Sequence, residues 1–227
     1  FFSRNREPDI PEEDAKPAKA RTLLDLQLFG KILREDHNFV LYLIGRSLLF
    51  IGSMGSAFLA VYGIERFSLG QEQAGVFTGL LFASGIIGYA VWGTLGDRIG
   101  PKRVITLAES FWVLSILIVL VSPSPLVYYL AFIFFGIANS GLILGDAILV
   151  MELGDERLRP TYLGMARTLT GAFLLLAPVI AGAVIRSSGY PLMFGASLAF
   201  SLLGTVLMNR VKDRPRQTRV AVPVSGD

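Results

Sequence analysis

Six long apolar runs set the terms for this chain: residues 39–64, 75–95, 104–121, 126–153, 161–185 and 191–209. At about 1.5 Å rise per residue, each is long enough as a helix to cross a hydrocarbon core of roughly 30 Å, with tilt taking up any excess. In lipid the backbone must satisfy its own hydrogen bonds, so spans of this length are helices. Transmembrane strands need shorter segments of alternating polarity, and the sequence has none. The expected fold class is therefore an all-α membrane protein with six transmembrane helices.

Composition agrees and excludes several functions. Hydrophobic residues make up 52% of the 227-residue chain and charged residues only 17%, against roughly 25% charged in an average globular domain. A net charge of +3 says little about nucleic acid, because the distribution of the cations matters more than their sum. There is no cysteine and a single histidine, His37, which leaves no disulfide framework and little material for a metal site or a His-dependent catalyst. No G-x-S-x-G nucleophile turn and no G-x-x-x-x-G-K-[ST] phosphate loop occurs, so neither a serine hydrolase nor an ATP-driven pump is expected. The reading is that the protein is not an enzyme and takes no metal and no cofactor.

The cations are sorted by side. With six spans, both termini share a side with the loops after the second and fourth helices. All 21 Lys and Arg residues fall there except Arg66 and Arg186, in the opposite loops, and Arg46 and Arg167, inside spans. The positive-inside rule then puts both termini in the cytoplasm, and the plasma membrane is the expected location. Residues 1–37 read as a cytoplasmic linker, 38–210 as the helical bundle and 211–227 as a cytoplasmic tail. Leu24, Leu28 and Ile32, at four-residue spacing, fit either a short amphipathic helix on the membrane surface or an ordinary juxtamembrane linker.

Glycine is abundant, 24 residues, and much of it lies in the spans. Gly75/Gly79 and Gly141/Gly145 have G-x-x-x-G spacing, and Gly85, Gly88, Gly171 and Gly182 mark further expected close approaches between helices. Pro178 should bend the fifth span by removing a ladder hydrogen bond. Trp92, Trp112, Tyr128, Tyr129 and Tyr190 lie at or near span ends, where anchoring at the membrane interface is the default reading.

The run "GTLGDRIGPKR", Gly93 to Arg103, packs its charges into a short connection between the second and third spans. It resembles the G-x-x-x-D-R-x-G-[RK]-[RK] signature of the major facilitator superfamily (MFS), with Gly93, Asp97, Arg98 and Gly100 in register. Pro101 stands at the first basic position, and the cations slide to Lys102 and Arg103. Between the fourth and fifth spans, Glu152 and Arg159 resemble the family's E-x6-R element. The resemblance implies one half-bundle of two inverted three-helix repeats, and a cytoplasmic charge network that latches in one state and parts in the other. In that network Lys102 or Arg103 would face Glu152. It also implies a secondary active transporter working by alternating access. The substrate would be a small solute, with proton coupling as one option, and the partners a lipid bilayer and no nucleic acid. The chain opens on Phe1-Phe2 without a methionine. The C-terminal half is therefore expected, partnered by an N-terminal six-helix half. A half-size protein working as a homodimer and a non-transporting scaffold or sensor with the same fold are the alternatives.

A charge at the bilayer centre costs on the order of 2.5–3.5 kcal/mol, so each one inside a span needs a partner or a use. The candidates for substrate contact or coupling are Arg46, Glu109, Asn139, Asp146 and Arg167. Arg46 either snorkels toward the cytoplasm or faces a central cavity and attracts an anionic group. Asp146 belongs either to the charge network or to a titrating site. Glu109 is similarly shallow in its span, and Arg167 has Asp146 or Glu109 as a partner across the bundle. Asn139 and Ser140 are deeper and uncharged, suited to substrate contact or to interhelical hydrogen bonds.

Overall fold

The computed structural model describes residues 28–153 and 158–212, all helix and connections, with no strand among them. Phe1–His37 and Asn38–Asp227 separate into two compact units. In the first, residues 28–35 are helical, and the Asp36 amide closes that helix on the Ile32 carbonyl at 2.9 Å. Leu24 and Arg157 lie outside the described residues.

The second unit is built from helices with identifiable starts and stops. α1, His37–Phe67, crosses first. Its middle, Ser53–Phe58, tightens into a 3-10 turn, where the sequence "GSMGSAF" offers small residues with weak helix preference. It ends at Ser68, which adopts a left-handed conformation (φ 52°, ψ 43°), while the Leu69 amide bonds back to the Ile64 carbonyl at 3.0 Å. This returning bond is the standard way of satisfying a helix's last carbonyls.

α2, Gln73–Ile99, stops at Gly100, whose φ of 85° only glycine adopts freely. Pro101 then opens α3, Pro101–Val121, at a first-turn position where its missing N–H does no harm. α4, Pro125–Leu153, begins the same way on proline. The last helical stretch, α5, Arg159–Arg210, is broken at Gly189 (φ 81°, ψ 173°), two residues before Pro191, into arms 159–188 and 190–210. Pro178 lies inside the first arm, where the backbone stays helical; the break expected between the last two apolar runs falls at the glycine. Among the described residues, these five helices are long and apolar enough to cross a membrane.

Side chains from all of them meet in one aromatic and aliphatic core, with Met54, Leu59, Phe77, Trp112, Tyr128 and Phe194 buried together. The outward faces carry bare apolar groups such as Phe82, Ile86, Leu126 and Leu175. Outward faces this apolar suit lipid or another protein surface, not water.

The glycines divide. A Cβ on Gly141 would come within 2.7 Å of the Ala108 Cβ, and one on Gly145 within 2.8 Å of Ile105 Cγ1, so that pair lets α4 lie directly on α3. Gly85 and Gly88 face Gly136 and Ser140 of α4, and Gly182 faces Phe58 loosely. Gly75, Gly79 and Gly171 do not mark close approaches in this unit: nothing among the described residues lies within 4 Å of where their Cβ would be. Spacing alone cannot tell which face of a helix a small residue occupies.

The interface-anchor reading is corrected for three aromatic residues. Trp92, Trp112 and Tyr128 are buried. Each uses its polar atom to tie two helices: Trp92 Nε1 donates to the Ile137 carbonyl at 2.8 Å, Trp112 Nε1 to Gly52 at 3.3 Å and Tyr128 Oη to Leu59 at 2.7 Å. A buried ring with one donor is stable where a backbone carbonyl answers it.

Candidate functional site

Two groups of charges stand out, one at a bundle end and one inside. At the α2–α3 seam, Gly100 turns the chain, and its amide bonds to the Gly96 carbonyl at 2.9 Å. Gly93, Gly96 and Asp97, with Trp92, Pro101 and Gly145 among their neighbours, line a largely apolar cavity of about 300 Å³. Arg98 and Arg103 are exposed, Glu152 is half-buried and Arg159 is exposed at the start of α5.

The seam is tied to the far end of α5. Lys102 Nζ donates to the Val211 carbonyl at 2.7 Å, and Thr106 Oγ1 to Asn209 Oδ1 at 2.9 Å. Asn38 completes the junction from α1. Its amide nitrogen donates to the Lys212 carbonyl at 2.9 Å, and its oxygen accepts from the Lys212 amide at 2.7 Å. A helix leaves its last carbonyls without intrahelical donors, so a lysine and an asparagine placed there satisfy groups that would otherwise need water.

The second group is buried. Asp146 of α4 and Arg46 of α1 retain only 3% and 6% of their side-chain exposure. Arg46 Nε lies 2.9 Å from Asp146 Oδ1, but its N–H is not aligned for a hydrogen bond, so the contact is charge against charge. The Tyr42 hydroxyl donates to the same oxygen at 2.6 Å. Arg167, from the first arm of α5, donates Nη1 to Asp146 Oδ2 at 3.1 Å. The Arg46 guanidinium also sits over the Phe50 ring, 4.3 Å from its centroid, a favourable face for a cation. Arg46 therefore neither snorkels out of its span nor stands open to a cavity, and of the two acids within reach of Arg167 the structure gives it Asp146.

Glu109 of α3 is buried, with Arg46 as its charged neighbour. Its Oε1 has no well-aligned hydrogen-bond partner among the described residues, and its one side-chain neighbour for such a bond is Ser201. Buried acids usually have more partners than this. Asn139 is exposed two turns before Asp146 on α4, while Ser140 is buried with its hydroxyl on the Ile137 carbonyl at 2.9 Å.

The family model for the Major Facilitator Superfamily matches residues 4–224. The chain belongs to the Major Facilitator Superfamily. With five helices able to cross a membrane, it is an integral membrane protein. Among solved structures it is similar to a point mutant of the nucleoside transporter NupG, with a TM-score of 0.67 and 18% sequence identity. That match covers 88% of this chain and 53% of the other, so the chain spans about half the length of the structure it matches. No curated protein matches it.

Within this superfamily framework, several residues of the buried site carried no sequence signal. Tyr42 looked like one more aromatic residue in an apolar run. Ser197, whose hydroxyl donates to the Gly52 carbonyl, and Ser201 were two small residues among many. One signal was available: Tyr42 and Arg46 stand four residues apart, which places both on one helical face, toward Asp146.

Proposed function

We propose that this chain forms one six-helix half of a secondary transporter that moves a small solute across the plasma membrane by alternating access, with both termini cytoplasmic. The two arms of α5 count as the fifth and sixth spans, and the six spans form two inverted three-helix repeats. A second six-helix half is the partner, the two rocking about a midplane site. The observation that carries the reading is the buried Arg46–Asp146 pair, with the half-exposed Arg167 on its second carboxylate oxygen. Intramembrane ionisable groups mark solute or ion paths by default. The match to a nucleoside transporter supports the fold and makes a nucleoside one solute to try.

In this reading the seam around Asp97, Arg98, Lys102, Arg103, Glu152 and Arg159 is a cytoplasmic latch, remade and broken as the halves rock. The direct test expresses the protein from its complete gene, reconstitutes it in proteoliposomes and follows labelled solutes with and without a pH gradient. Uptake or exchange of any solute supports transport; a silent panel favours a scaffold or sensor. For the latch, reversing Glu152 to Arg should slow transport severalfold, and adding Arg103→Glu should restore part of it. Strict additivity of the two changes would rule out that pairing.

A further inference from the structure

Asp146 is fully engaged. One of its oxygens takes the Tyr42 hydroxyl and faces Arg46, and the other takes Arg167. Two guanidinium groups thus share one carboxylate, and the cluster carries an excess positive charge unless Glu109 balances it. Arg46 is buried and cannot offer that charge to a solute. Arg167 can: its side chain is 52% exposed, and among the described residues its bonded nitrogen is Nη1. An arginine held at one nitrogen by a buried acid presents the rest of its fork in a fixed direction, the geometry suited to an oxyanion.

Resting on the transport reading above, we propose that Arg167 binds a carboxylate or phosphate group of the transported solute and that Glu109 carries the proton that moves with it. The groups facing Glu109 decide how the two events talk. From α1 it faces Arg46, and from the second arm of α5 it faces Ser201. Arg46 in turn contacts Asp146 of α4, which also holds Tyr42 and Arg167. The charges of α2, Asp97 and Arg98, are at its seam end.

With Glu109 ionised, two acids balance two guanidinium groups, and Arg46 is shared between Glu109 and Asp146. An anion arriving at Arg167 would then make the cluster net negative. When Glu109 takes a proton from water, Arg46 commits to Asp146 and the surplus charge appears on Arg167, where an anion restores neutrality. In a low-dielectric interior an unbalanced unit charge is costly, so the states holding both proton and anion, or neither, dominate. By linkage, each raises the affinity for the other. For a monovalent anion, or a divalent one that arrives carrying a proton of its own, the result is electroneutral proton–anion symport.

The test uses the protein from its complete gene in proteoliposomes. The anions are labelled lactate, succinate and inorganic phosphate, with uridine as a neutral control and tetraethylammonium as a cationic one. At least one anion should accumulate tenfold or more when the outside is acidic, and the three anions separate carboxylate from phosphate recognition. Glu109→Gln should abolish that accumulation yet keep exchange of labelled for unlabelled anion, which also shows that the variant folds. Arg167→Gln should lose both by tenfold or more, and Arg167→Lys should recover part of the exchange. Gradient-driven accumulation by Glu109→Gln equal to the parent overturns the proton role. Transport of uridine or tetraethylammonium with none of the anions overturns the inference and leaves transport standing. Silence across all charge classes takes down the transport reading and the inference with it.

Discussion

At the ends of the bundle the cations work on backbone. Lys102 reaches the Val211 carbonyl beyond α5. At the opposite end of α3, Arg66 spreads its guanidinium over the final carbonyls, with Nη1 2.6 Å from Val119 and Nη2 2.9 Å from Ser122. In the interior the cations work on a side chain, the buried Arg46 and the half-exposed Arg167 both on Asp146. The difference follows from what each depth supplies. Helix ends expose carbonyls with no intrahelical donor and a partial negative charge. Inside a helix those carbonyls are consumed by the ladder, so a buried cation must find an acid from another helix. Loss of a partner also has different consequences: water replaces it at an end, and nothing replaces it inside.

That contrast is most easily broken at Asp146. Asp146→Asn keeps the shape and removes the charge, leaving two guanidinium groups, Arg46 and Arg167, without the acid that holds them and Glu109 as the one remaining acid beside Arg46. Removing one partner of a buried pair costs about 3–5 kcal/mol, so thermal unfolding in detergent, followed by tryptophan fluorescence, should shift down by several degrees at least. Replacing the pair together, Arg46→Leu with Asp146→Leu, should recover much of the loss, because apolar side chains of similar size suit a dry interior. An Asp146→Asn protein as stable as the parent would mean that the interior charges are solvated, and that depth does not separate the two regions.

A second prediction concerns the backbone contact beside the cluster. A Cβ on Gly52 would lie 2.7 Å from the Ser201 nitrogen and 3.0 Å from its Cα. Neither backbone atom can step aside as a side chain would. Gly52→Ala should therefore push α1 from the second arm of α5, at about 1–3 kcal/mol, the usual cost of overpacking. It should also disturb the Gly52 carbonyl, which accepts from Trp112 and Ser197. A shifted tryptophan emission alongside the lower melting temperature is the expected signature, and an unshifted spectrum with unchanged melting would count against the close approach.

How far the sequence disclosed this molecule depended on whether a feature is local. The spans were legible because hydropathy and length are local properties, and so was the turn at Gly100-Pro101, where glycine geometry and proline's missing donor act within one residue. The seam was legible because its charges sit together in the chain. The buried cluster was only half legible: Arg46, Glu109, Asp146 and Arg167 stood out as charges in apolar runs, but their pairing depends on how four helices rotate against one another. Gly75 and Gly141 show the same limit. Both begin a G-x-x-x-G pattern, yet only Gly141 touches a neighbouring helix, because the spacing fixes a face and not its direction. Trp92 and Trp112 misled for a related reason, since a ring near a span end can point outward to the interface or inward to a carbonyl.

The smallest effect should come at the ends, and it sharpens the comparison most. Lys102→Met leaves the Val211 carbonyl to water, and Arg66→Gln does the same for the carbonyls of α3. Each should cost no more than about 1 kcal/mol, the scale of a cation at a helix C-terminus, and both costs should shrink with added salt because exposed charges are screened. In the proposed latch, however, Lys102 belongs to a junction that one transport state keeps and the other gives up. Its replacement should then change the rate of solute exchange severalfold while hardly moving the melting temperature. Arg66→Gln, at the end opposite the latch, should move neither by much. If the two variants behave alike in exchange, the seam is a helix cap and nothing more, and the charged run at Gly93–Arg103 does no switching.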